Sequence, residues 1–297
     1  MTTLSYDPTH CTLCPRRCGA DRTQAKGRCR MPDAPVVARA ALHHWEEPPL
    51  SGTQGAGTVF FSGCSLGCVF CQNDSISQND FGKAISVARL REIFFELIAA
   101  GAHNIDLVNP THYAHAVAQA LEDPLPVPVV WNSGGYDRVE TLAALEGKIQ
   151  IYLPDYKYTD PDTARRYAGA ADYPETARAA IREMVRQTGP YQLDENGILT
   201  RGVILRHLLL PGGLNQAKEV MDWVTETFPP HTILFSLMSQ YTPWGKAADY
   251  PPLDRRLRKS EIRAAEAYFT NLGLDGFTQG VEAAQADYIP TFDLTGV

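Results

Sequence analysis

No cysteine follows Cys71 in this 297-residue chain. No run of about 18 apolar residues occurs either, so no membrane-spanning helix is expected. Positive charge is in short supply: 27 Lys and Arg stand against 34 Asp and Glu, a formal net charge of −7. That balance removes the default case for binding nucleic acid or an anionic membrane, although it allows a local basic groove. Met1–His10 carries neither the basic nor the apolar segment of a secretory signal, which points to a cytoplasmic protein. Low-complexity tracts and short solenoid repeats are also missing. With 44% apolar and 21% charged residues, the composition excludes wholesale disorder and collagen-like or coiled-coil arrays. The length suits one large α/β domain with a small appendage.

The seven cysteines crowd the N-terminal quarter, at 11, 14, 18, 29, 64, 68 and 71. An odd, clustered set in a chain without a secretory signal argues against a disulfide framework and for metal. Residues 1–50 are rich in Cys, Pro and Arg and show no helical or strand period, so they read as a Cys-rich metal-binding extension; residues 51–297 read as the main domain. From Thr58 onward, short apolar runs alternate with amphipathic stretches. Strands are expected at Thr58–Phe61, Ile105–Val108, Val127–Trp131, Ile149–Leu153, Val203–Leu209 and Thr232–Leu237. Helices are expected at Val87–Ile98, Ala114–Leu121, Val139–Leu145, Glu175–Gln187, Asn215–Thr227 and Glu261–Asn271. Six βα units fall short of a closed eightfold barrel and predict an open or partial one. Gln192–Arg201, with its Glu195-Asn196-Gly197 turn, reads as a hairpin inserted before the fifth strand.

Directly after the first strand comes Cys64-Ser65-Leu66-Gly67-Cys68-Val69-Phe70-Cys71, a C-x3-C-x2-C loop. Three thiolates on one tight loop can hold three irons of a cubane and leave the fourth open to a small molecule. A zinc site completed by a distant His, or three coincidental buried cysteines, are the plain alternatives. The earlier set, Cys11, Cys14, Cys18 and Cys29, suits a closed tetrahedral zinc site; an auxiliary [4Fe-4S] cluster is its rival. Gly52–Gly57 precedes a strand, so it reads as a turn rather than a phosphate loop. His43 and His44 read as packing residues, the Met and Tyr near 238–241 as barrel core, and His112 and Tyr113 as facing a substrate cavity.

At these residues the chain resembles the radical S-adenosylmethionine (SAM) enzymes, and within them the pyruvate formate-lyase-activating enzyme-like subgroup with an N-terminal cysteine extension. The resemblance runs in order through Cys11–Cys18, Cys71-Gln72-Asn73, Leu107–Tyr113, Asn132–Tyr136, Tyr152–Tyr158, Arg206-His207-Leu208 and Gln240-Tyr241. It implies a partial (β/α)6 barrel, a [4Fe-4S] cluster on Cys64, Cys68 and Cys71, and SAM cleaved reductively to a 5′-deoxyadenosyl radical. It further implies a reducing electron donor such as flavodoxin or ferredoxin. Ligands of a parallel barrel gather at the carboxyl ends of its strands, where Asn109, Asn132, Ser133, Asp155, Lys157, Arg206 and Gln240 lie. Asp155 and Lys157 resemble the pair that family members place near SAM and substrate, although a structural ion pair would also explain them. Arg206 could grip a carboxylate or form a rim ion pair. One segment departs from the family: where activases carry a Gly-Gly-Glu type sequence, this chain has Val108-Asn109-Pro110-Thr111, which leaves the SAM amino group to Asn109 or a backbone carbonyl. The expected substrate is a peptide, as for a glycyl-radical activase. A small molecule or nucleoside, or a non-enzymatic iron-sulfur redox or sensor role, are the alternatives.

Overall fold

The computed structural model describes residues 4–279 and 290–297. In chain order the elements are β1 (Val36–His43), α1 (Pro48–Ser51), β2 (Ala56–Phe61), α2 (Asp74–Ser77), β3 (Lys83–Ala84), α3 (Val87–Ala99), β4 (Ile105–Val108), α4 (Ala114–Ala120), β5 (Val129–Ser133), α5 (Val139–Ala143) and β6 (Ile151–Pro154). There follow α6 (Pro161–Ala168), α7 (Tyr173–Thr188), β7 (Gln192–Leu193), β8 (Leu199–Leu208), α8 (Leu214–Thr227), β9 (Leu234–Met238), α9 (Lys259–Leu272) and β10 (Gly276–Gln279). The sheet order is β10-β9-β8-β6-β5-β4-β2-β1-β3, with the short β7 paired to β8 as the expected hairpin.

From β2 to β10 the main strands run parallel. Parallel strands covered on both faces read as continuous apolar runs, and every residue of β5 and β6 is buried. The six expected strands are present, and β10 adds a seventh parallel one. The open mixed α/β barrel is thus present, and β2 and β10 are not paired with each other. Residues 36–43, which show no strand period, nonetheless form β1, antiparallel to β2 from Val37↔Phe61 to His43↔Ala56. This strand joins the segment that holds the first four cysteines to the main sheet.

The helices cover the outside. Ser86 caps α3 by accepting a hydrogen bond from the Arg89 backbone N–H at 3.1 Å, and Leu90, Ile93, Phe94 and Leu97 form its buried face. The edge of β1 that β3 leaves uncovered meets residues near Val297: the Leu294 N–H donates to Ala38 O at 3.0 Å, and the Ala40 N–H donates to Thr295 O at 2.8 Å.

Candidate functional site

β2 ends at Phe61, and the chain turns through Gly63 into the thiol loop. Gly63 has φ +83°, a left-handed conformation, and a Cβ there would meet Met31 Cγ at 2.2 Å and Cys29 O at 2.7 Å. The segment around Cys29 therefore presses directly on the start of the loop. The loop is further pinned where Arg16 Nε donates to Ser65 O at 2.8 Å and Gln78 Nε2 donates to Cys68 O at 3.0 Å.

Cys64, Cys68 and Cys71 converge on one cavity of about 280 Å³, which Asn109, Asn132, Ser133, Asp155, Lys157, Arg206 and Gln240 also line. All the strand-end residues singled out in the sequence therefore share the thiol cavity. Phe61, Leu66, Phe70 and Ile76 supply its apolar wall. Each sulfur has a polar neighbour. The Leu66 N–H donates to Cys64 Sγ at 3.4 Å, the Tyr158 hydroxyl donates to Cys68 Sγ at 3.7 Å, and Ser77 Oγ lies 3.3 Å from Cys71 Sγ. Burial, and then the field of the other two thiols, pushes Cys64 up to about 12. Burial raises Cys68 and Cys71 as well. Three thiolates can coexist here only around a positive centre, so the donor set fits an iron-sulfur cluster. Among the described residues no group of three or more His, Cys, Asp and Glu already meets the geometry of a single metal-ion site.

Opposite the thiols, Asp155 carries two cations. Lys157 Nζ lies 2.6 Å from Asp155 Oδ2, and Arg206 Nε lies 2.9 Å from Asp155 Oδ1. Burial alone would raise the Asp155 pKa, but Arg206 and Lys157 outweigh it and hold the carboxyl below its usual range. Lys157 loses by burial and gains more from Asp155 and Cys68, so it stays charged. Arg206 Nη2 also donates to Asn132 Oδ1 at 2.6 Å.

Other polar groups are already engaged. Asn109 sits at φ +60°, donates its side-chain amide to Gly63 O, and donates its backbone N–H to Asn132 O at 2.7 Å. Ser133 Oγ donates to Asp137 Oδ2 at 2.5 Å, and Thr111 Oγ1 donates to Asp137 Oδ1 at 2.6 Å. Asp137, which the sequence reading passed over, therefore anchors the turn after β5.

His112 and Tyr113 do not face the cavity. Both are fully buried, and His112 Nε2 lies 2.7 Å from Ser62 O. Burial, helped by Arg22, pushes His112 down to about 3 and keeps it neutral. Tyr241 is buried, edge-on against Phe70, yet it lines the cavity together with Met238. Glu46, Glu47 and Asp106 escaped the sequence reading. The Glu46-Glu47 pair between Trp45 and Pro48 was the available signal.

Cys11, Cys14 and Cys29 are buried, and Cys18 is exposed. A Cβ at Gly27 would lie 3.4 Å from Cys29 Sγ and 3.7 Å from Cys18 Sγ, which puts both thiols around this glycine. Burial, and then repulsion from Cys29, Cys11 and Cys18, raises Cys14 to about 12, so this set too needs a positive centre to ionise. Arg22 ties it to the barrel. Buried to 1% exposure, it donates from Nη1 to His112 O at 2.6 Å and from Nη2 to Pro32 O at 2.6 Å, with Cys11 Sγ 3.8 Å from Nη1.

No family model matches the chain. Over 276 residues it is 29% identical to an uncharacterized protein of Methanocaldococcus jannaschii, which covers 90% of this chain and 76% of that protein. Among solved structures it is similar to Streptococcus suis SuiB bound to S-adenosylmethionine, with TM-score 0.52, 16% identity, and 75% of this chain against 50% of SuiB. SuiB bound to its precursor peptide SuiA is similar at TM-score 0.50 and 15% identity, over 73% of this chain and 46% of that one. A radical SAM methyltransferase from Sphaerobacter thermophilus is similar at TM-score 0.50 and 17% identity, over 76% of this chain and 68% of that one. The chain spans about half the length of the SuiB chain it matches. Its fold is that of the radical SAM enzymes.

Proposed function

We propose that the protein is a radical SAM enzyme whose [4Fe-4S] cluster is held by Cys64, Cys68 and Cys71. The observation that carries this reading is the convergence of three unpaired thiols, on one loop at the carboxyl end of the first parallel strand, upon a cavity shared with the Asp155-Lys157-Arg206 ion set. When bound and reduced, the cluster supplies the electron that cleaves SAM to methionine and a 5′-deoxyadenosyl radical, which takes hydrogen from the substrate. Phe61, Leu66, Phe70 and Ile76 keep water from the thiols. Lys157, paired with Asp155, keeps further N–H groups that suit the carboxylate of the methionine moiety, while Arg206, shared among Asp155, Asn132, Glu46 and Glu47, fixes Asp155 beside it. The Asn109 amide nitrogen is committed to Gly63 O, which leaves its Oδ1, or a carbonyl oxygen of this rim, to accept from the SAM amino group.

The substrate we favour is a peptide, as for an enzyme of the pyruvate formate-lyase-activating type. The sheet's two unjoined ends, β10 on one side and β1 with β3 beyond β2 on the other, support it, because a chain segment can enter a barrel that is open at the side, and SuiB, of like fold, has been solved with a precursor peptide. Flavodoxin or ferredoxin is the proposed reductant and zinc the proposed ion of the N-terminal thiols. The test is anaerobic reconstitution, reduction and incubation with SAM. Wild type should yield 5′-deoxyadenosine and Cys68→Ala none. Cleavage retained in the variant refutes the ligand assignment, and a reducible cluster that never cleaves SAM marks a redox protein instead. A cell extract with deuterated proteins should pass deuterium into 5′-deoxyadenosine; label arriving only from deuterated metabolites overturns the peptide substrate.

A further inference from the structure

A larger cavity of about 780 Å³ adjoins the thiol cavity, and Gln72, Asn73, Arg206, Met238, Gln240 and Thr242 line both. Its walls come from the two sides of the open barrel: His43, Trp45 and Phe60 on one, Trp244 and Gln279 on the other. Trp45 and Trp244 are 61% and 41% exposed, so the entrance is aromatic.

Its floor is acidic. The side chains of Glu46 and Glu47, 11% and 3% exposed, hydrogen-bond to each other. Arg206 Nη1 lies 3.5 Å from Glu46 Oε2 and 3.7 Å from Glu47 Oε2, while the same guanidinium is also held by Asp155. A fourth carboxyl stands behind them. In β4, Ile105 and Leu107 point to the helices and Asp106 alternates inward, on the side of Val108, which lines the thiol cavity. Asp106 is fully buried, feels Arg206, Glu47 and Glu46, and finds no donor for its Oδ1 among the described residues. Gln240 Oε1, on the shared wall, likewise finds none. Among the described residues, four carboxyls thus face two cations, and one of these, Lys157, is paired with Asp155.

We propose that this cleft seats a cationic side chain of the substrate, an alkylammonium or guanidinium, against Glu46 and Glu47. The proposal rests on reading the adjoining cavity as the reaction centre, and it specifies the chemistry of what enters. The aromatic entrance suits both the apolar stem and the charge of such a group. Burial foremost, with Asp106 adding to it for Glu46, raises Glu46 to about 7 and Glu47 to about 8, and burial raises Asp106 to about 7. Near neutrality a proton therefore balances the pair, and an arriving cation displaces it. Burial lowers His43, which faces the cleft from β1 with His44 beside it, so His43 stays uncharged; Arg256 stands exposed on the rim and Arg206 lies beneath.

The test titrates the full-length chain, followed by tryptophan fluorescence and calorimetry, with acetyl-Gly-Lys-Gly-amide, its uncharged norleucine counterpart, and cadaverine. The lysine peptide should bind at least tenfold more tightly than the norleucine peptide. Its affinity should rise by up to about tenfold per pH unit between pH 6 and 8, as one proton is displaced. Glu46→Gln and Glu47→Gln should each lose about tenfold, the scale of a truncated charge pair. Cadaverine equal to the peptide identifies a free amine as the source of the charge, and a tighter peptide identifies a protein side chain. Equal binding of the lysine and norleucine peptides, or a pH-independent affinity, overturns the proposal without recourse to any variant. These titrations need no SAM turnover. Failure to form 5′-deoxyadenosine on the same preparation would sink the radical reading alone, and loss of cation preference with SAM cleavage intact would sink the cleft alone.

Discussion

Gly63→Ala strikes the thiol loop and the N-terminal segment at once, and its cost can be worked from two observations. The residue holds φ +83°, where an L-residue is disfavoured by about 1–2 kcal/mol. Its new Cβ would stand 2.2 Å from Met31 Cγ, 2.7 Å from Cys29 O and 3.1 Å from His112 Nε2. The methionine can swing aside, but the Cys29 carbonyl is backbone and moves only if the segment moves, an overpacking cost of about 1–3 kcal/mol. Together these come to about 2–5 kcal/mol, a large share of the ~5–15 kcal/mol that holds a typical domain together. Gly67 provides the control. It lies in the same loop at φ +113°, and a Cβ there meets nothing within 4 Å. Gly67→Ala should therefore bear the backbone strain without the collision. Urea unfolding under anaerobic conditions should place Gly63→Ala about 1–3 kcal/mol below Gly67→Ala. Iron per chain after reconstitution should fall further in Gly63→Ala as well. If the two variants match in both readings, the N-terminal segment does not press on the loop.

The pKa of Glu47, raised by burial to about 8 from an ordinary 4.5, fixes a direction with pH. Its contribution to stability is full below pH 4.5 and is lost as the pH climbs through 8, at about 1.4 kcal/mol per pH unit. Because Glu46 shares the proton, Glu47→Gln should remove about half of that decline, roughly 2 kcal/mol between pH 5 and 8; unfolding curves parallel to wild type would refute this. Arg206→Met leaves Glu46, Glu47 and Asp155 with Lys157 alone and should cost about 3–5 kcal/mol at pH 8. That loss should shrink at pH 5, where the glutamates protonate, and a loss equal at both pH values would mean that repulsion is not its source. Alanine at 64, 68 and 71 together should leave about one zinc per chain on the N-terminal thiols, whereas about four irons without zinc would mark a second cluster.

Much of the barrel was legible because buried parallel strands and amphipathic helices write their burial into the order of residues. Val129–Ser133 and Val87–Ala99 are instances. Pro161–Ala168 carries few apolar residues and escaped a reading by apolar period, although its ends are marked: Asp160 accepts from the Thr163 N–H at 2.7 Å, and Gly169 closes it at φ +62°. β10 is four half-exposed residues with no apolar run, and β1 is hidden because its pairing to β2 is a tertiary fact. The thiol loop was plain from spacing alone. The Glu46-Glu47 floor was not, since nothing local says that these acids fold inward toward Arg206, 160 positions away from Glu46. His112 was misplaced for the converse reason. A histidine at a strand end looks chemical, yet this one is neutral and occupied by Ser62 O.

The closure of β1 by residues 294 and 295 bears on what this rim of the sheet offers to another chain. A strand with bare N–H and C=O groups is a template on which another chain can build, and soluble proteins disarm such edges with charge, twist or cover. Here the cover comes from the same chain, fastened by an ion pair of 2.8 Å between Arg39 and Asp293 and by the two backbone hydrogen bonds beside it. Beneath it lie Ala38 and Ala40, small and apolar, with no charge of their own to repel a stranger. Clipping the chain before Asp293 would leave every thiol and every carboxyl of the cavities in place and would convert the rim of the sheet into a surface for self-association. Turbidity on concentrating the clipped protein, rather than any change in its chemistry, would be the first sign.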